Sequence, residues 1–476
     1  MVRTRHIPPA LQSESGTIYK QAAVSVAVGY PAPYSVGASS LGFQWVYKLL
    51  NAIPEVACAR FFMPERGLPD GVVALETGRP VADMEAVLFS VACEQELMNI
   101  AALLKGMGLP PLAADRDDIH PPVIMGGPLT TVDPRLLAPF ADVVATGASD
   151  ALIAPLGEAL IESDGRKQRF LDMLRDVHAG LFVPDGGVLS FPDLSIPPPR
   201  PAAAATWSPL AEFRNLFLVE ATRGCRRGCA FCTMSRGAAN TPAFHAFPVS
   251  DILEAVPDEA PGVGLVGAAV TDHPEIERIV ALLSEKGKRV SLSSIRADRL
   301  TLSLAEMLRE GGGRTVTLAA DGASERLRRK VKKGILEKHL TGAVAIAREA
   351  GFQSLKIYSM VGLPDETPDD IVEYARLLTE LSRCLKVSTT VQAFVPKPST
   401  PLAGQPMTEL KEITGRLNLL RRETRGRVKV LPTSPKWSWV DWKIAHSKEK
   451  GARIAIDALL AGGGFAAWKK AIERRC

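Results

Sequence analysis

Residues 225–232 read Cys225-Arg226-Arg227-Gly228-Cys229-Ala230-Phe231-Cys232. Three of the seven cysteines fall here within eight positions, with the spacing CxxxCxxC. Thiols this close in sequence are typical of a metal site in a reducing compartment rather than of a disulfide framework. The β-rich run 216–219 comes just before them. We therefore expect the cysteines to lie in a loop that follows a strand.

Regular alternation of strand and helix patterns continues after the cysteines. Repeated β/α units of this length predict a full or partial (β/α)6 barrel over residues 210–400, whose reactive face lies at the carboxyl ends of its strands. The predicted strands are 216–219, 263–266, 290–293, 315–318, 355–359 and 387–394, and the predicted helices are 274–284, 302–309, 340–350 and 369–381.

An earlier alternation predicts a doubly wound parallel α/β sheet over residues 1–183. Such sheets bind ligands outside the carboxyl ends of their strands, where we expect loops at residues 29–37, at Gly126 and Gly127, and at Gly147. The alternative is that these glycines only serve turns or close backbone approaches. The predicted strands are 24–28, 57–62, 86–92, 123–125 and 141–145, and the predicted helices include 41–51 and 96–105.

Two further segments differ in composition. Residues 184–209 are rich in proline and are expected to connect the two domains or to strap the surface. Residues 401–476 carry helical patterns at 410–421 and 452–460 and are basic, with 16 Lys and Arg against 7 Asp and Glu. Trp437, Trp439 and Trp442 alternate with cations and could stack nucleic-acid bases, but such tryptophans more often pack as a lid, so nucleic acid is not the expected partner.

Length and composition exclude several classes of protein. The 476 residues are 46% hydrophobic and 23% charged, which suits a compact enzyme of two or three domains and excludes disordered or fibrous chains. The mean hydropathy is +0.07, yet no run of about 18 consecutive apolar residues is present for a membrane span. Residues 1–20 lack the apolar stretch of a signal peptide. We expect a cytoplasmic protein without a membrane span.

The chemistry of three thiolates favours an iron–sulfur cluster. Thiolates are soft ligands for iron, and three of them leave one iron of a [4Fe–4S] cluster open. A structural zinc site is the alternative. It would require a fourth Cys or His at short spacing, and only His245 is close.

With these features the chain resembles the radical S-adenosylmethionine (SAM) enzymes, in particular the branch with an N-terminal cobalamin-binding-like domain. The resemblance extends over about residues 20–405. It rests on residues 220–232, 291–298, 324–329 and 356–367 in the second half, and on residues 31–42 and 125–128 in the first.

The resemblance implies a site. Cys225, Cys229 and Cys232 would be the catalytic and metal-binding residues, and the open iron would hold the amine and carboxylate of SAM. Gly362 and Pro364 would pack against adenine, Asp321 and Ser324 would bond the ribose or the amino-acid part, and Ser294 and Arg296 would end the third strand, with Arg296 pairing with a carboxylate. The family's amine-binding stretch corresponds to residues 267–272, where Gly267 begins the stretch and Asp272 would replace an acidic residue missing from its usual place.

The sequence leaves open whether the first domain binds cobalamin. Gly126 and Gly127 match a loop of the cobalamin-binding-like domain, but residues 31–37 contain no histidine to ligate cobalt. Either cobalamin binds without a protein ligand on cobalt, or the domain keeps the fold and has lost the cofactor. Cys58 and Cys93 are too few and too far apart for the second cluster of the methylthiotransferase relatives, and each is expected to be a small buried hydrophobe.

The resemblance therefore implies an enzyme that cleaves SAM reductively with a [4Fe–4S] cluster and functionalises an unactivated carbon, with methyl transfer if cobalamin is bound. The alternatives are a cobalamin-independent radical enzyme that rearranges, oxidises or thiolates its substrate, and a non-catalytic RNA-binding protein with a cluster. An electron donor such as flavodoxin or ferredoxin is the expected partner. No residue pattern indicates the substrate.

Overall fold

The structure, a computed structural model, describes residues 8–235 and 241–475. The chain divides into two compact units, Met1–Leu218 together with Lys443–Cys476, and Val219–Trp442. The proline-rich stretch 184–209 thus belongs to the first unit. The predicted basic region 401–476 is divided, with residues 401–442 in the second unit and the rest in the first.

The described part of the first unit contains a six-stranded sheet with the order β2-β1-β3-β4-β5-β6. The first five strands are parallel and β6 is antiparallel to β5, which confirms the predicted doubly wound sheet. The strands are β1 (Val24–Pro33), β2 (Val56–Met63), β3 (Ala86–Ser90), β4 (Val123–Gly126), β5 (Val143–Ala145) and β6 (Leu181–Phe182). The helices are α1 (Pro9–Ser13), α2 (Tyr34–Gly37), α3 (Leu41–Ala52), α4 (Glu96–Gly106), α5 (Ser149–Glu162) and α6 (Lys167–Leu174).

Gly29 shows why a glycine interrupts an apolar strand. It lies within β1, not in a loop, and it faces Phe61 of β2 and Phe89 of β3 in the sheet register. The two buried rings meet edge to face with centroids 5.2 Å apart, and a Cβ on Gly29 would collide with the Phe61 ring. The glycine therefore serves aromatic packing across the strands.

The proline-rich stretch ends in close packing within the first unit. Ala203 and Ala204 are buried, and the Gln44 side chain accepts the backbone N–H groups of Ala205 and Thr206. The end of the stretch therefore binds to α3 of the sheet domain, because these shielded backbone N–H groups require hydrogen-bond partners.

The second unit contains the predicted β/α repeats. Its strands are β7 (Phe217–Glu220), which begins two residues before the boundary, β8 (Thr222–Arg223), β9 (His245–Ala246), β10 (Gly262–Val266), β11 (Arg289–Leu292), β12 (Thr315–Ala319), β13 (Ser354–Val361), β14 (Lys386–Ala393) and β15 (Lys429–Pro432). Its helices are α7 (Val249–Glu254), α8 (Ile276–Glu285), α9 (Leu302–Glu310), α10 (Glu325–Lys330), α11 (Glu337–Glu349), α12 (Pro368–Leu381) and α13 (Leu410–Thr424), and α14 (Pro435–Ala445) crosses the boundary between the units.

β8 and β9 pair separately, and the other strands form two sheets, with the orders β11-β10-β7 and β12-β13-β14-β15. A parallel bridge between Ile295 and Leu318 joins them, so the strands follow one another as in an open β/α barrel, and the predicted partial barrel is confirmed. β15 was not predicted. It is only four residues long, begins at Lys429 and ends in Pro432.

After α14 the chain adds α15 (Lys450–Leu460) and α16 (Phe465–Arg475) to the first unit. Gly451 of α15 lies close to Leu136 and Leu97, and Gly463 after it lies close to Met98 of α4. The C-terminus is helical, as predicted. In the part of the chain that is described, no helix is both long and apolar enough to cross a membrane.

Candidate active site

The three cysteines lie on a loop that is closed at its base by a short ladder. β8 pairs with β9 through Thr222–Ala246 and Arg223–His245, so Gly224 and Phe244 lie next to each other at the end of this ladder. Gly224 begins the loop with φ +66°, and a Cβ there would collide with the carbonyl oxygens of Pro242 and Ala243. Only glycine suits this position without strain. The loop follows β7 and β8 directly, as the sequence predicts.

Two contacts fasten the loop to its surroundings. The backbone N–H of Ala230 donates to the carbonyl of Val331, just after α10, at 3.0 Å. The guanidinium of Arg227 forms a two-point contact with the carboxylate of Asp272, with N–O distances of 2.5 and 2.8 Å. Such paired, charge-assisted bonds fix orientation as well as distance. The cysteine loop is thus tied to α10 and to the loop after β10.

The thiols are partly shielded from water. Cys229 is buried, and Cys225 and Cys232 are half-buried. Burial raises the pKa values of Cys229 and Cys232, since it disfavours the thiolate, while the nearby Lys333 ammonium opposes this shift. Cys225 raises both pKa values through charge repulsion, which shows that the three thiols are close enough to interact.

The donor set fits an iron–sulfur cluster. Within residues 8–235 and 241–475, no three His, Cys, Asp or Glu side chains are arranged to hold a single metal ion. In a cluster each thiolate binds a different iron, so the sulfurs do not have to converge on one point. Three thiols on one loop, with Lys333 nearby to favour the thiolate form, match that requirement.

The charged residues predicted for the site are all paired. Asp272 is held by Arg227 and its side chain is 1% exposed; burial alone would raise its pKa, but the guanidinium holds the pKa below the usual range. Arg296 binds Asp298 at 2.9 Å, and Asp321 binds Lys333 at 2.5 Å. A side-chain nitrogen of Arg296 also donates to the carbonyl of Lys333 at 3.4 Å.

The two predicted serines differ. Ser324 is fully buried at the start of α10, where its hydroxyl accepts the N–H of Leu327 and donates to Asp370. Both bonds hold the helix, so Ser324 acts as an N-cap. The hydroxyl oxygen of Ser294 is buried and has no hydrogen-bond partner among the described residues. Ser294 therefore retains a hydrogen-bonding position for a ligand.

The predicted glycines have local explanations. Gly362 directly follows β13 and has a φ of +87°. Its N–H donates to the carboxylate of Glu366, and its carbonyl oxygen accepts from the hydroxyl of Thr408. Pro364 follows in the turn to α12 and is half-buried. Burial raises the pKa of Glu366 to about 7, although the Gly362 N–H and Arg416 oppose that shift. A Cβ on Gly267 would collide with Thr222, so this glycine allows the loop after β10 to approach β8.

Sequence reasoning missed the residues that position the loop. Lys333 lies near the thiols and binds Asp321, although it follows α10 by three positions. Arg328 is fully buried and donates to the carbonyls of Gly322, Ala323 and Ile335, so it holds the loop after β12. The basic run 328–333 was the available signal, but a run of cations does not show which one is buried.

The structure corrects the prediction for Cys93 and gives Gly126 and Gly127 a packing role. Cys93 is exposed, not a buried hydrophobe, because it lies in the loop after β3, whereas Cys58 is buried within β2 as expected. Gly126 and Gly127 pack on the loop after β3, where the N–H of Val91 donates to Gly126 and a Cβ on Gly127 would lie 2.7 Å from the Val91 backbone.

Comparison with known proteins agrees with this geometry. Residues 219–378 match the family described as the radical SAM superfamily, and residues 42–184 match the one described as radical SAM proteins, N-terminal. The chain belongs to the radical SAM superfamily. The matched regions contain the cysteine loop and most of the first sheet, respectively.

Relatives of this radical SAM protein span both of its units. An uncharacterized protein of Methanocaldococcus jannaschii is 26% identical over 385 residues, which are 79% of this chain and 78% of that protein. An uncharacterized methyltransferase of Pyrococcus horikoshii is 24% identical over 54% of this chain and 58% of its own length.

Among solved structures, the apo form of the cobalamin-dependent S-adenosylmethionine radical enzyme OxsB has a similar fold. Its TM-score is 0.50 at 10% identity, and the match covers 91% of this chain and 67% of that one. In the match to the aqua-cobalamin-bound form, this chain spans about half of that enzyme's length, 53%.

The cysteines of this radical SAM protein are expected to separate into two groups. Alanine at Cys225, Cys229 or Cys232 should abolish stable binding of the about four irons of a cluster, because two thiolates leave two irons without protein ligands. Alanine at Cys58, Cys93 or Cys384 should retain full iron content, and Cys58→Ala should cost about 1–3 kcal/mol of stability because that thiol is buried. Iron and sulfide are measured after anaerobic reconstitution.

Cys476, also expected to retain iron, lies outside the described residues and completes the series. Loss of iron in a folded variant of the second group would reveal a fourth ligand or a second cluster.

Asp272→Asn is expected to loosen the cysteine loop. The substitution removes the charge that pairs with Arg227, and it should lower the free energy of unfolding by about 1–3 kcal/mol and accelerate iron loss to a chelator. Glu275→Gln is the matched control, because it breaks a pair with Arg278 whose two side chains are 45% and 66% exposed. That control should change stability by less than about 0.5 kcal/mol. Unchanged iron retention together with weakened SAM binding would instead assign Asp272 to the SAM amine.

Proposed function

We propose that this chain binds a [4Fe–4S] cluster on Cys225, Cys229 and Cys232, cleaves SAM reductively and functionalises an unactivated carbon of its substrate. The observation that carries the proposal is the cysteine loop itself. Its three thiols are buried or half-buried on one loop, and two contacts hold that loop, the Ala230 N–H to the Val331 carbonyl and the pair between Arg227 and Asp272.

The chain's own residues supply the thiolates and their surroundings. When bound, the cluster supplies an open iron for the amine and carboxylate of SAM and the electron that breaks the carbon–sulfur bond, which gives a 5′-deoxyadenosyl radical. Lys333 and Arg296 favour the thiolate form of Cys229 by their charge. The pair between Arg227 and Asp272 keeps the loop in place before SAM arrives, so less ordering is required on binding.

The contacts to SAM are proposed residue by residue. Ser294 offers an unpartnered hydroxyl, and the backbone at Gly362 and Pro364 offers a face for adenine. Asp321 and Arg296 would orient the ribose and carboxylate while keeping their pairs with Lys333 and Asp298. Ser324 would contribute only through α10, because its hydroxyl already makes two bonds.

A low-potential electron donor, such as flavodoxin or ferredoxin, would be the partner for this reaction. It would supply the electron that reductive cleavage consumes, and we expect this to take place in the cytoplasm. Nucleic acid is not the proposed substrate.

Reductive cleavage is measured directly. After anaerobic reconstitution and addition of dithionite, the wild-type protein should convert SAM to 5′-deoxyadenosine and methionine, detected by liquid chromatography. Cys229→Ala should reduce this conversion at least about 100-fold, because removal of a group that a reaction cannot proceed without costs orders of magnitude in rate. Equal product from wild type and Cys229→Ala would refute the proposal, and Cys384→Ala, an exposed thiol, is the control for thiol chemistry unrelated to the cluster.

Methyl transfer through cobalamin is the second candidate. Its support is the similarity in fold to OxsB, a cobalamin-dependent enzyme, and the Pyrococcus horikoshii relative named as a methyltransferase. The described residues after β1 do not fit a histidine-ligated cobalamin. They contain no histidine, and the hydroxyl of Tyr34 donates to Glu14 at 2.6 Å.

One spectrum distinguishes the two candidates. The protein is expressed with hydroxocobalamin, desalted and examined by absorption spectroscopy. A retained corrinoid would assign methyl transfer, with cobalt bound without a ligand from residues 31–37. Its absence would leave the cobalamin-independent reactions, namely rearrangement, oxidation or thiolation.

A further inference from the structure

The inner face of the second unit is defined by the alternation of burial along its strands. In β13, Leu355 and Ile357 are fully buried, whereas Lys356 between them is half-buried and Tyr358 is 41% exposed. Successive side chains of a strand point to opposite faces, so the buried set packs under the helices and the other set lines the open side of the barrel. We call this open side the inner face.

Strand register orders the inner face into rows. Lys356 pairs with Thr317 on one side and Ser388 on the other, and Ser388 pairs with Lys429. These four residues are the lysine row. Two residues further along each strand, Tyr358 lies between Ala319 and Thr390, and Thr390 pairs with Leu431. These four are the tyrosine row. One strand separates the two lysines, whose backbones are therefore about 10 Å apart, and their long side chains can reach one anion between them.

The inner face of β12–β15 is positively charged. Its residues include three lysines and no carboxylate; they are Thr315, Thr317, Ala319, Ser354, Lys356, Tyr358, Met360, Lys386, Ser388, Thr390, Gln392, Lys429 and Leu431. The ammonium of Lys356 lies over the Tyr358 ring, 4.6 Å from its centroid. Neither Lys356 nor Lys429 forms an ion pair with any described residue.

Lys356 is half-buried, and an unpaired ammonium in such a position is a site for an anion, whereas Lys429 is exposed and contributes a second positive charge. Shielding from water weakens hydration of the charge, and a ligand carboxylate or phosphate restores a partner. The exposed Tyr358 and Leu431 beside it are large apolar surfaces, 41% and 39% exposed, that a planar or aliphatic body could cover.

The distance to the reactive edge limits the size of the ligand. Lys356 lies five residues before the end of β13, which corresponds to about 17 Å along the strand. The cysteine loop and Gly362 lie at the carboxyl ends of their strands. A ligand whose anionic end lies at the lysine row must therefore extend about 17 Å to bring a carbon to that edge.

We propose that the lysine row holds the anionic end, a carboxylate or phosphate, of an elongated small-molecule substrate whose planar or apolar body rests on Tyr358 and Leu431. The inference rests on the proposed function, because it places the substrate of that reaction. It excludes cationic substrates and requires the reactive carbon to lie far from the anionic group.

Binding of model anions tests the proposal. Phenyl phosphate, benzoate and the neutral benzamide are titrated by calorimetry into the reconstituted protein saturated with SAM. We expect at least one of the two anions to bind and benzamide to bind at least about tenfold more weakly. The two anions distinguish a phosphate-bearing from a carboxylate-bearing substrate.

Variants locate the binding. Lys356→Met and Lys429→Met should each weaken the anion about tenfold, and Lys356→Arg should stay within about threefold because it keeps the charge. Lys386→Met is the matched control. It removes an exposed lysine of the same strand face, one row further from the reactive edge, and should change binding less than about twofold. Thermal unfolding by circular dichroism verifies that each variant is folded.

The results that would contradict the lysine row differ from those that would contradict the proposed function. No binding of either anion, equal binding of benzamide, or equal weakening by Lys386→Met would overturn the lysine row as the anion site. SAM cleavage is measured in the same wild-type preparation. Cleavage without anion binding overturns this inference alone, whereas anion binding without cleavage overturns the proposed reaction.

Discussion

The parallel register of the strands in the second unit is the constraint on which the rest of the site depends. Because β10–β11 and β12–β15 pair in parallel, the loops that follow them open at one edge. Register also separates the two faces of each strand. A slip of one residue in β13 would turn Lys356 toward the helices and Ile357 toward the open side, so the same pairing that seals the core creates the charged inner face.

Contacts between loops make this edge rigid before any ligand binds. Arg227 joins the cysteine loop to the loop after β10, and Ala230 joins it to the end of α10. The same end of α10 carries Lys333, which binds Asp321 after β12. Each bond is modest by itself, but together they connect segments that would otherwise move independently, which is the condition for holding a reactive group in place.

Much of the fold was predictable because its signals are local. The run 355–359 is rich in β-forming residues and alternates buried with less buried positions, and β13 contains it. The glycine and cysteine spacing of residues 224–232 predicted the loop. β15 could not be predicted, since it is stabilised by pairing with β14 rather than by its own composition. Ser324 was read as a ligand contact, but a serine before a helix is also an N-cap, and only its bonds to Leu327 and Asp370 distinguish the two.

By itself the sequence determined the kind of chemistry and the order of the elements, because thiol spacing, strand period and turn residues act over a few positions. Tertiary structure decided which charges meet and which remain unpaired. Arg227 and Asp272 are 45 residues apart, and Lys356 and Lys429 become neighbours only through β14. It also decided that the chain returns from the second unit to place α15 beside α4. Such pairings depend on how distant segments pack, and burial then determines the energy of each charge.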